Sequence, residues 1–250
     1  MHYFEATFRE WGMTVFDQTA AYYDLIYSSK NYQREANEIQ AYIAKVYPQA
    51  RDVLDVACGT GKHAQILSEH YQVDGIDLNP SFIEIASARN PDGQFYCKDM
   101  MKFQLPRQYD VVLCLFSSIA YVRTFDGLVD TLGQLHNHVK PAGCLIVEPW
   151  FAPDTWESGR YNMLTVENES HKICRMSHAT REGLVSVLHF QYLISSRSGI
   201  EHYMERHELG LFSNNNMLQA FQMAGFTCEF DSVGISGRGM YIARIKGGVT

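Results

Sequence analysis

The sequence has little positive charge and no long apolar run, and both absences narrow what the protein can do. Its 21 Lys and Arg residues are outnumbered by 28 Asp and Glu residues, which gives a formal net charge of -7. Because a protein that wraps nucleic acid needs a basic face, we expect no nucleic-acid partner. No uncharged apolar stretch approaches the roughly 20 residues of a membrane-spanning helix, so we expect no membrane association.

The six cysteines form no C-x-x-C pair, and most of them lie in apolar, strand-like runs, where a free cysteine behaves as a small hydrophobic residue. The first ten residues carry charges and lack the apolar core of a secretory signal. These features predict a reduced, cytoplasmic protein. The pairs His136/His138 and His202/His207 lack a third ligand at metal spacing, so no metal site is predicted.

Short apolar runs alternate with helical patterns in the first part of the chain, and 250 residues fit one domain with insertions. Strands are predicted over 53–57, 73–76, 95–97, 110–115 and 144–147, and helices over 63–71, 81–89 and 128–139. This alternation predicts an α/β domain with a doubly wound, mostly parallel, Rossmann-like sheet. Residues 1–47 predict a helical cap that is rich in tyrosine.

After Pro149 the pattern changes to long strands over 172–180, 184–195 and 200–211, joined by two hairpin-like segments. We interpret residues 151–212 as an antiparallel β insertion in the single domain of residues 1–250. A helix over 214–224 and strands over 226–230 and 241–245 complete the prediction.

Ligands of such sheets bind beyond the carboxyl ends of the strands. The first strand contains Asp55, which can receive the amino group of an amino-acid ligand, and leads into Gly59 and Gly61, where a ligand can approach the backbone closely. The second strand ends at Asp77, whose carboxylate can bind both hydroxyls of a ribose. The third strand leads to Asp99-Met100. The acid can accept a hydrogen bond from the exocyclic amine of an adenine, and Met100 can pack on the adenine ring.

A nicotinamide-dependent oxidoreductase is a competing interpretation. Gly59-x-Gly61-x-x-Ala64 with an acid further on matches the loose dinucleotide fingerprint. Asp55 before the glycines, together with the segment Lys140-Pro141-Ala142-Gly143, favours a different family.

These motifs together resemble the signature set of class I S-adenosylmethionine-dependent methyltransferases. The resemblance implies S-adenosyl-L-methionine as cofactor, S-adenosyl-L-homocysteine as product, and a seven-stranded sheet whose last strand is antiparallel. It implies that the glycine turn holds the methionine part, Asp77 the ribose and Asp99 the adenine.

Further motifs, spread over nearly the whole chain, are similar to those of the N,N-dimethyltransferases that finish desosamine and mycaminose on dTDP-linked amino sugars. These motifs are Tyr23-Asp24-Leu25, Tyr32-x-Arg34, Phe116-Ser117-Ser118-Ile119, Glu148-Pro149-Trp150, Ser177-His178, Arg181-Glu182-Gly183 and Ser236-Gly237-Arg238-Gly239. This resemblance implies a dTDP-sugar substrate and a homodimer, with the insertion serving substrate binding and dimerisation. It places the cofactor at Tyr23, Tyr32, Arg34, Asp55, Ala57, Gly59, Gly61, Asp77, Leu78, Asp99, Met100 and Leu115.

Methyl transfer to an aliphatic amine requires loss of a proton, because such an amine has a pKa of about 10, as in lysine. Tyr121, Glu148 and His178 are the candidate proton acceptors. His178 also fits a paired surface histidine.

Arg238, between two glycines, is the candidate diphosphate clamp, because a guanidinium binds phosphate bidentately. Arg181 is a second candidate phosphate contact, although either arginine also fits an exposed turn. Trp150 is a candidate for stacking on a base or sugar, and Ser118 for a substrate contact. Methylation of another small metabolite at nitrogen or oxygen, and a non-catalytic cofactor-binding protein, remain alternatives.

Overall fold

The computed structural model describes Phe16 and residues 18–247, and in this range the chain forms two β-sheets with helices around the larger one. The strands are β1 (Asp52–Val56), β2 (Gln72–Asp77), β3 (Phe95–Cys97), β4 (Tyr109–Cys114), β5 (Val139–Val147), β6 (Tyr161–Glu167), β7 (Lys172–Glu182), β8 (Val185–Ser196), β9 (Gly199–Gly210), β10 (Phe226–Asp231) and β11 (Met240–Ile245). The α-helices are α1 (Tyr23–Ile26), α2 (Tyr32–Val46), α3 (Lys62–Leu67), α4 (Pro80–Arg89), α5 (Phe125–His136) and α6 (Asn214–Met223), with 3-10 helices at Ala20–Tyr22 and Ser118–Val122.

The larger sheet has seven strands in the order β10-β11-β5-β4-β1-β2-β3. Strands β1 to β5 pair in parallel, and β11 runs antiparallel to both β5 and β10. The predicted doubly wound, mostly parallel sheet is confirmed. The strand order reverses between β1 and β4, and the carboxyl ends there form the crevice where such sheets bind ligands.

Apolar side chains cover both faces of this sheet, as the uninterrupted burial of β4 requires. One core layer contains Leu128 and Leu132 of α5 and Phe221 of α6. The opposite layer contains Ile39 of α2 and Leu67 of α3. The helices on the two faces hold the strand ends in a fixed relation, which positions the site.

Two boundaries differ from the sequence prediction for identifiable reasons. Helix α5 begins at Phe125 rather than Leu128, because the Thr124 hydroxyl accepts a hydrogen bond from Gly127 N–H (3.1 Å) and caps the helix. The segment 140–143, which precedes the strand predicted over 144–147, lies within β5. There Lys140 pairs with Asp52 (2.6 Å) and Asp110 (3.0 Å).

The smaller sheet is an antiparallel meander of four strands, β6-β7-β8-β9, where the sequence predicted three. The missed strand, β6, lies at the edge, and five of its seven residues are exposed, so its sequence carries little apolar alternation. The antiparallel insertion itself is confirmed.

At the N-terminal end, the described helices are short except for α2, which begins after Asn31, whose side chain accepts a hydrogen bond from Arg34 N–H (2.9 Å). Residues 1–15 and 17 of the predicted cap lie outside the described residues. Asp24 links this segment to the sheet by accepting a hydrogen bond from Thr60 Oγ1 (2.7 Å) and pairing with Arg89. Among the helices that the structure describes, none combines the length and apolar character needed to cross a membrane.

Candidate active site

A cavity of about 610 Å³ lies at the carboxyl ends of β1, β2 and β4 and is closed on its other side by the inner face of the four-stranded sheet. Its wall at the large sheet includes Ala57, Gly59 and Asp77, and its wall at the insertion includes Arg175 and His207. One cavity therefore joins the predicted cofactor residues to side chains of the insertion.

The turn after β1 depends on backbone conformations that favour glycine. Ala57, Gly59 and Gly61 all have positive φ angles, of 58°, 55° and 72°. A Cβ on Gly61 would meet Asn90 Nδ2 at 2.6 Å, so this glycine lets the turn pack against the region after α4. A Cβ on Gly59 would meet no atom within 4 Å, because Gly59 faces the cavity, where a ligand can approach the backbone.

Asp77 at the end of β2 is fixed from two sides. Its carboxylate accepts hydrogen bonds from Gly59 N–H (2.9 Å) and Asn79 N–H (2.9 Å) and still lines the cavity. Burial raises the pKa of Asp77 from its ordinary value. This placement, beside the glycine turn, fits a carboxylate that accepts from ribose hydroxyls.

Farther along the same wall, Asp99 is held by Met101 N–H, which donates to Asp99 Oδ1 (2.9 Å). Leu78 is 52% exposed although it follows a buried strand, and both Leu78 and Met100 line the cavity. An exposed carboxylate beside open apolar side chains fits a purine ring with an exocyclic amine.

Behind the glycine turn, a smaller cavity of about 50 Å³ is lined by Asp55, Tyr32 and Leu115, and Tyr23 lines both cavities. Asp55 is 2% exposed. Its burial, with the carboxylate of Asp77 as a second cause, raises the pKa of Asp55 to about 7. A buried carboxylate of this kind fits the amino group of an amino-acid ligand, whose charge would offset the cost of burial.

Two of the predicted cofactor residues lie outside the linings of both cavities. Arg34 is on the exposed side of α2, where it pairs with Glu38 (3.1 Å). Gly61 lies buried behind the turn. The geometry supports a structural role for Gly61 and gives Arg34 no ligand-facing position.

The candidate proton acceptors are separated by the fold. Tyr121 lines the cavity, and its hydroxyl lies 2.8 Å from His207 Nδ1. Glu148 is 1% exposed beneath the wall, where it accepts hydrogen bonds from Phe116 N–H (2.7 Å) and Arg238 Nη2 (2.8 Å) and from Ser236. The geometry favours Glu148 as the anchor of Arg238 rather than as a proton acceptor.

His178 and Arg181 lie on β7, exposed and outside the cavity lining. His178 pairs in register with Tyr161, on the outer face of the sheet. Arg181 donates to the carbonyl oxygens of Gly183 (2.7 Å) and Pro153 (2.7 Å). Ser118, Trp150 and Arg238, the other predicted substrate contacts, line the cavity.

The sequence analysis missed Arg175, Phe190 and His207, which line the cavity from the insertion. Their strands do carry a signal. Arg175 lies at the same parity as buried Ile173 in β7, and His207 at the same parity as buried Leu209 in β9. Because alternate residues of a strand share a face, polar residues on the buried face could have been recognised from this alternation.

The cavity lining is more basic than the chain as a whole, whose net charge is -7. Arg123 and Arg206 pair with Glu208, and Arg238 pairs with Glu148. Among the described residues, Arg175 has no carboxylate within ion-pair distance; its guanidinium donates to Tyr27 (3.3 Å) and packs over Phe190 (4.8 Å). The charged lining comprises Lys98, Arg123, Arg175, Arg206 and Arg238 against Asp77, Asp99 and Glu208.

No group of three or more His, Cys, Asp or Glu side chains within the described part of the chain could hold a metal ion.

Comparison with known proteins agrees with this geometry. A model of the methyltransferase domain family matches residues 53–143. The dTDP-3-amino-3,6-dideoxy-alpha-D-glucopyranose N,N-dimethyltransferase of Streptomyces fradiae is 36% identical over 228 residues, which cover 90% of this chain and 89% of that protein.

Two solved structures have the same fold over nearly the whole chain. The sugar N-methyltransferase KedS8 of a Streptoalloteichus species matches with a TM-score of 0.88 and 28% identity, over 98% of this chain and 100% of that one. CalS10, an amino pentose methyltransferase of Micromonospora echinaspora solved with bound S-adenosylmethionine, matches with a TM-score of 0.80 and 27% identity, over 94% and 98%. The chain belongs to the family of class I S-adenosylmethionine-dependent methyltransferases that contains these sugar N-methyltransferases.

Proposed function

We propose that the protein transfers methyl groups from S-adenosylmethionine to the amino group of a dTDP-linked amino sugar. The observation that carries this proposal is the single cavity that joins Asp77 and Asp99 at one wall to Arg175 and Arg238 at the other. The first pair fits a nucleoside-bearing cofactor, and the second fits the diphosphate of a sugar nucleotide. The relation to the Streptomyces fradiae dimethyltransferase supports the same substrate class.

Bound S-adenosylmethionine supplies an electrophilic methyl group on a sulfonium, so the protein has to align an uncharged amine with it. The substrate amine resembles that of lysine, with a pKa of about 10, and is mostly protonated near neutrality. Tyr121 is the candidate acceptor on the cavity wall. Burial raises the pKa of Tyr121 well above its ordinary value, so the residue acts as a neutral hydroxyl that shares protons.

The position of the Arg238 guanidinium fits a contact with a phosphate group. Glu148 binds Arg238 Nη2 (2.8 Å), which fixes the guanidinium beside Trp150, whose ring centroid lies 5.8 Å away. Arg238 Nε is buried and has no hydrogen-bond partner among the described residues. Arg175 supplies a second guanidinium, and we assign it a larger share of diphosphate binding than the exposed Arg181.

The outer face of the insertion is the surface through which we propose that the protein forms a homodimer. The outer face of the insertion carries exposed apolar side chains that alternate in register, since Met163 pairs with Met176 and Leu193 lies on the same face. A contiguous apolar patch of this kind is typical of a protein interface. We infer that residues 151–212 bind the substrate with their inner face and form a homodimer with their outer face. Light scattering should give a dimer that becomes a monomer in Met163→Asp, and a monomeric wild type would contradict the inference.

We further propose that the enzyme works in the cytoplasm, on a small molecule and without a nucleic-acid partner. The chain's acidic balance and its six cysteines, none disulfide-bonded in the structure, support this assignment. Fractionation of cells that express the tagged protein tests it, and recovery outside the soluble cytoplasmic fraction would contradict it.

Calorimetric titration with S-adenosylhomocysteine, and then with dTDP, tests the substrate class. Binding of both ligands, followed by one or two methylations of a dTDP-linked amino sugar detected by mass spectrometry, is the expected result. Cofactor binding without dTDP binding would instead support methylation of another small metabolite. Failure to bind S-adenosylhomocysteine would overturn the proposal altogether.

A further inference from the structure

Three side chains form a hydrogen-bonded line that leads away from the cavity. The hydroxyl of Tyr121 lies 2.8 Å from His207 Nδ1, and His207 Nε2 lies 3.1 Å from Glu205 Oε2. Tyr121 belongs to the 3-10 helix after β4, whereas His207 and Glu205 belong to β9. Tyr121 and His207 are 86 residues apart in the sequence. The folding of the insertion onto the large sheet therefore creates this line.

The far end of the line is a well-satisfied carboxylate. Glu205 also accepts hydrogen bonds from Thr19 Oγ1 (2.5 Å) and Tyr192 Oη (3.2 Å). The Glu205 side chain is only 7% exposed, and the His207 side chain 2%. A buried carboxylate with several donors keeps a fixed position beside the imidazole.

The imidazole is shielded from water on its flanks. The rings of Phe16 and Phe190 pack against His207 with centroid distances of 4.7 and 4.8 Å. Glu205 occupies the Nε2 side and Tyr121 the Nδ1 side, so both ring nitrogens of this cavity-lining histidine have side-chain partners. A proton can thus pass between the cavity and His207 through the tyrosine hydroxyl.

Other charged or titratable groups surround this line on every side. Tyr23, Tyr27 and Asp77 interact electrostatically with Tyr121. The neighbouring strand positions Arg206 and Glu208 line the same cavity, and Tyr192 reaches Glu205 from β8. Glu205 and Asp77 are the carboxylates that lie nearest to Tyr121 in this set.

We propose that Tyr121, His207 and Glu205 form a proton relay that takes the proton from the substrate ammonium group before methyl transfer. This inference rests on the proposed amine N-methylation, and it adds His207 and Glu205 to the machinery. Tyr121 touches the substrate, whereas His207 and Glu205 act through it.

The step balances as two coupled proton transfers. One N–H bond of the ammonium group breaks, its electron pair stays on nitrogen, and its proton binds the oxygen of Tyr121. The original phenolic proton moves to His207 Nδ1, and the imidazolium formed is stabilised by Glu205, to which Nε2–H donates. The tyrosine is a neutral phenol before and after the transfer, and the proton returns to solvent by the same route after product release.

This relay requires one tautomer of His207. Nε2 must carry the proton that Glu205 accepts, and Nδ1 must be free to accept from Tyr121. Nitrogen-15 spectra of histidine-labelled protein identify the protonated ring nitrogen, with His207→Asn assigning the signal. We expect the Nε2–H form at neutral pH. A proton on Nδ1 in the neutral imidazole would overturn the relay.

The kinetic test compares His207→Asn with the wild type on a dTDP-linked amino sugar. Asparagine can keep a hydrogen bond to Tyr121 but cannot take up a proton. We expect kcat/KM to fall about 10²-fold near pH 7, as for loss of general base catalysis. Because the neutral fraction of the free amine rises about tenfold per pH unit below its pKa, the deficit should shrink by about that factor per unit between pH 7 and 9.

Matched variants separate the relay from simple structural support. Glu205→Gln retains hydrogen bonding without charge and should show the same pH-dependent deficit in weaker form. His202→Asn, an exposed histidine on the same strand, should behave as the wild type. Calorimetry with S-adenosylhomocysteine confirms that each variant is folded. A deficit that does not change with pH, or no deficit in His207→Asn, would overturn the proposal.

Different results would contradict the proton relay and the proposed dTDP-linked amino-sugar substrate. If the wild type methylates the amino sugar and the His207→Asn deficit is independent of pH, the relay is wrong and the function stands. If the wild type methylates no dTDP-linked amine although His207 has the expected tautomer, the proposed substrate is wrong, and the relay, as a device for that substrate, is overturned with it.

Discussion

At the wall that we assign to the cofactor, here called the cofactor wall, the groups that face the cavity come from short segments that follow parallel strands, such as the turn to Gly59 and the carboxylate of Asp77. At the opposite wall, which we assign to the substrate and call the substrate wall, they come from the inner face of an antiparallel sheet, such as Arg175 and His207. The first wall combines the backbone of Ala57 and Gly59, which have positive φ angles, with side chains that directly follow the strand ends. The second is made of side chains that meet only through strand register. We therefore expect the first wall to tolerate few backbone changes, whereas substitutions of side chains on the second wall should alter the choice of substrate.

The largest expected effect contrasts two glycines, one in each region. Gly61→Ala places a Cβ 2.6 Å from Asn90 Nδ2 at a φ of +72°. Backbone strain and overpacking together should lower the free energy of unfolding by about 2–4 kcal/mol, as measured by urea denaturation. Gly183→Ala in the insertion, at a φ of +61° with no atom within 4 Å of the added Cβ, should cost about 1 kcal/mol. Equal losses would contradict the greater rigidity of the cofactor wall.

The next effect concerns ligand selectivity at the cofactor wall. Asp77→Ala removes the acceptor of Gly59 N–H and the proposed ribose ligand. We expect the affinity for S-adenosylhomocysteine to fall about 10- to 100-fold by calorimetry, as for loss of a hydrogen bond to a charged group. The affinity for dTDP should stay unchanged. Asp92→Ala, on an exposed loop, is the control, and an equal effect on both ligands would break the division of the cavity into two walls.

The reciprocal change acts at the substrate wall. Arg175→Gln removes the cavity arginine that has no carboxylate partner among the described residues. The affinity for dTDP should fall about tenfold while that for S-adenosylhomocysteine stays constant, because one charge-assisted contact is lost. Arg175→Lys should recover part of the loss, and exposed Arg197→Gln should cause none. Unchanged dTDP binding in Arg175→Gln would remove this residue from the diphosphate site.

The smallest expected effect is the number of protons released when S-adenosylhomocysteine binds. Burial raises the pKa of Asp55 to about 7, so at pH 6 the ligand-free protein holds this carboxyl largely protonated. The charged amino group of the cofactor would favour the carboxylate, so binding of S-adenosylhomocysteine should release up to about one proton at pH 6 and almost none at pH 8.5. Calorimetry in two buffers of different ionisation enthalpy measures this release. Asp55→Asn should abolish it, and a release that persists in the variant would point to another group.

The same pKa predicts a dependence of stability on pH. Between about pH 4 and 7 the native ligand-free protein binds more protons at Asp55 than the unfolded chain does, since its folded pKa lies above the ordinary value. The free energy of unfolding should therefore fall as pH rises through this window, and Asp55→Asn should flatten the dependence. Urea denaturation at several pH values checks the sign.

A larger share of the residues predicted for the cofactor lines a cavity than of those predicted for catalysis and substrate binding. Asp77 and Asp99 follow strands whose carboxyl ends must share one edge of a parallel sheet, so their placement together followed from the pattern. His178 was a candidate because of a local motif, yet it lies on the outer face of the insertion. Arg175, three residues earlier, lies on the inner face. Side chains alternate between the two faces of a strand, so these two residues of β7 point to opposite faces. Only the register of β7 with β6 and β8 decides which face lines the cavity.

The sequence by itself determined the parallel core, the seven strands of its sheet and the position of the glycine turn after β1, because these depend on local patterns and on rules shared by all such sheets. The tertiary structure decided which side chains of the insertion face the cavity, that Glu148 binds Arg238, and that Tyr121 meets His207. Those contacts join residues far apart in the chain, and their geometry comes from the packing of one sheet on another rather than from any local preference.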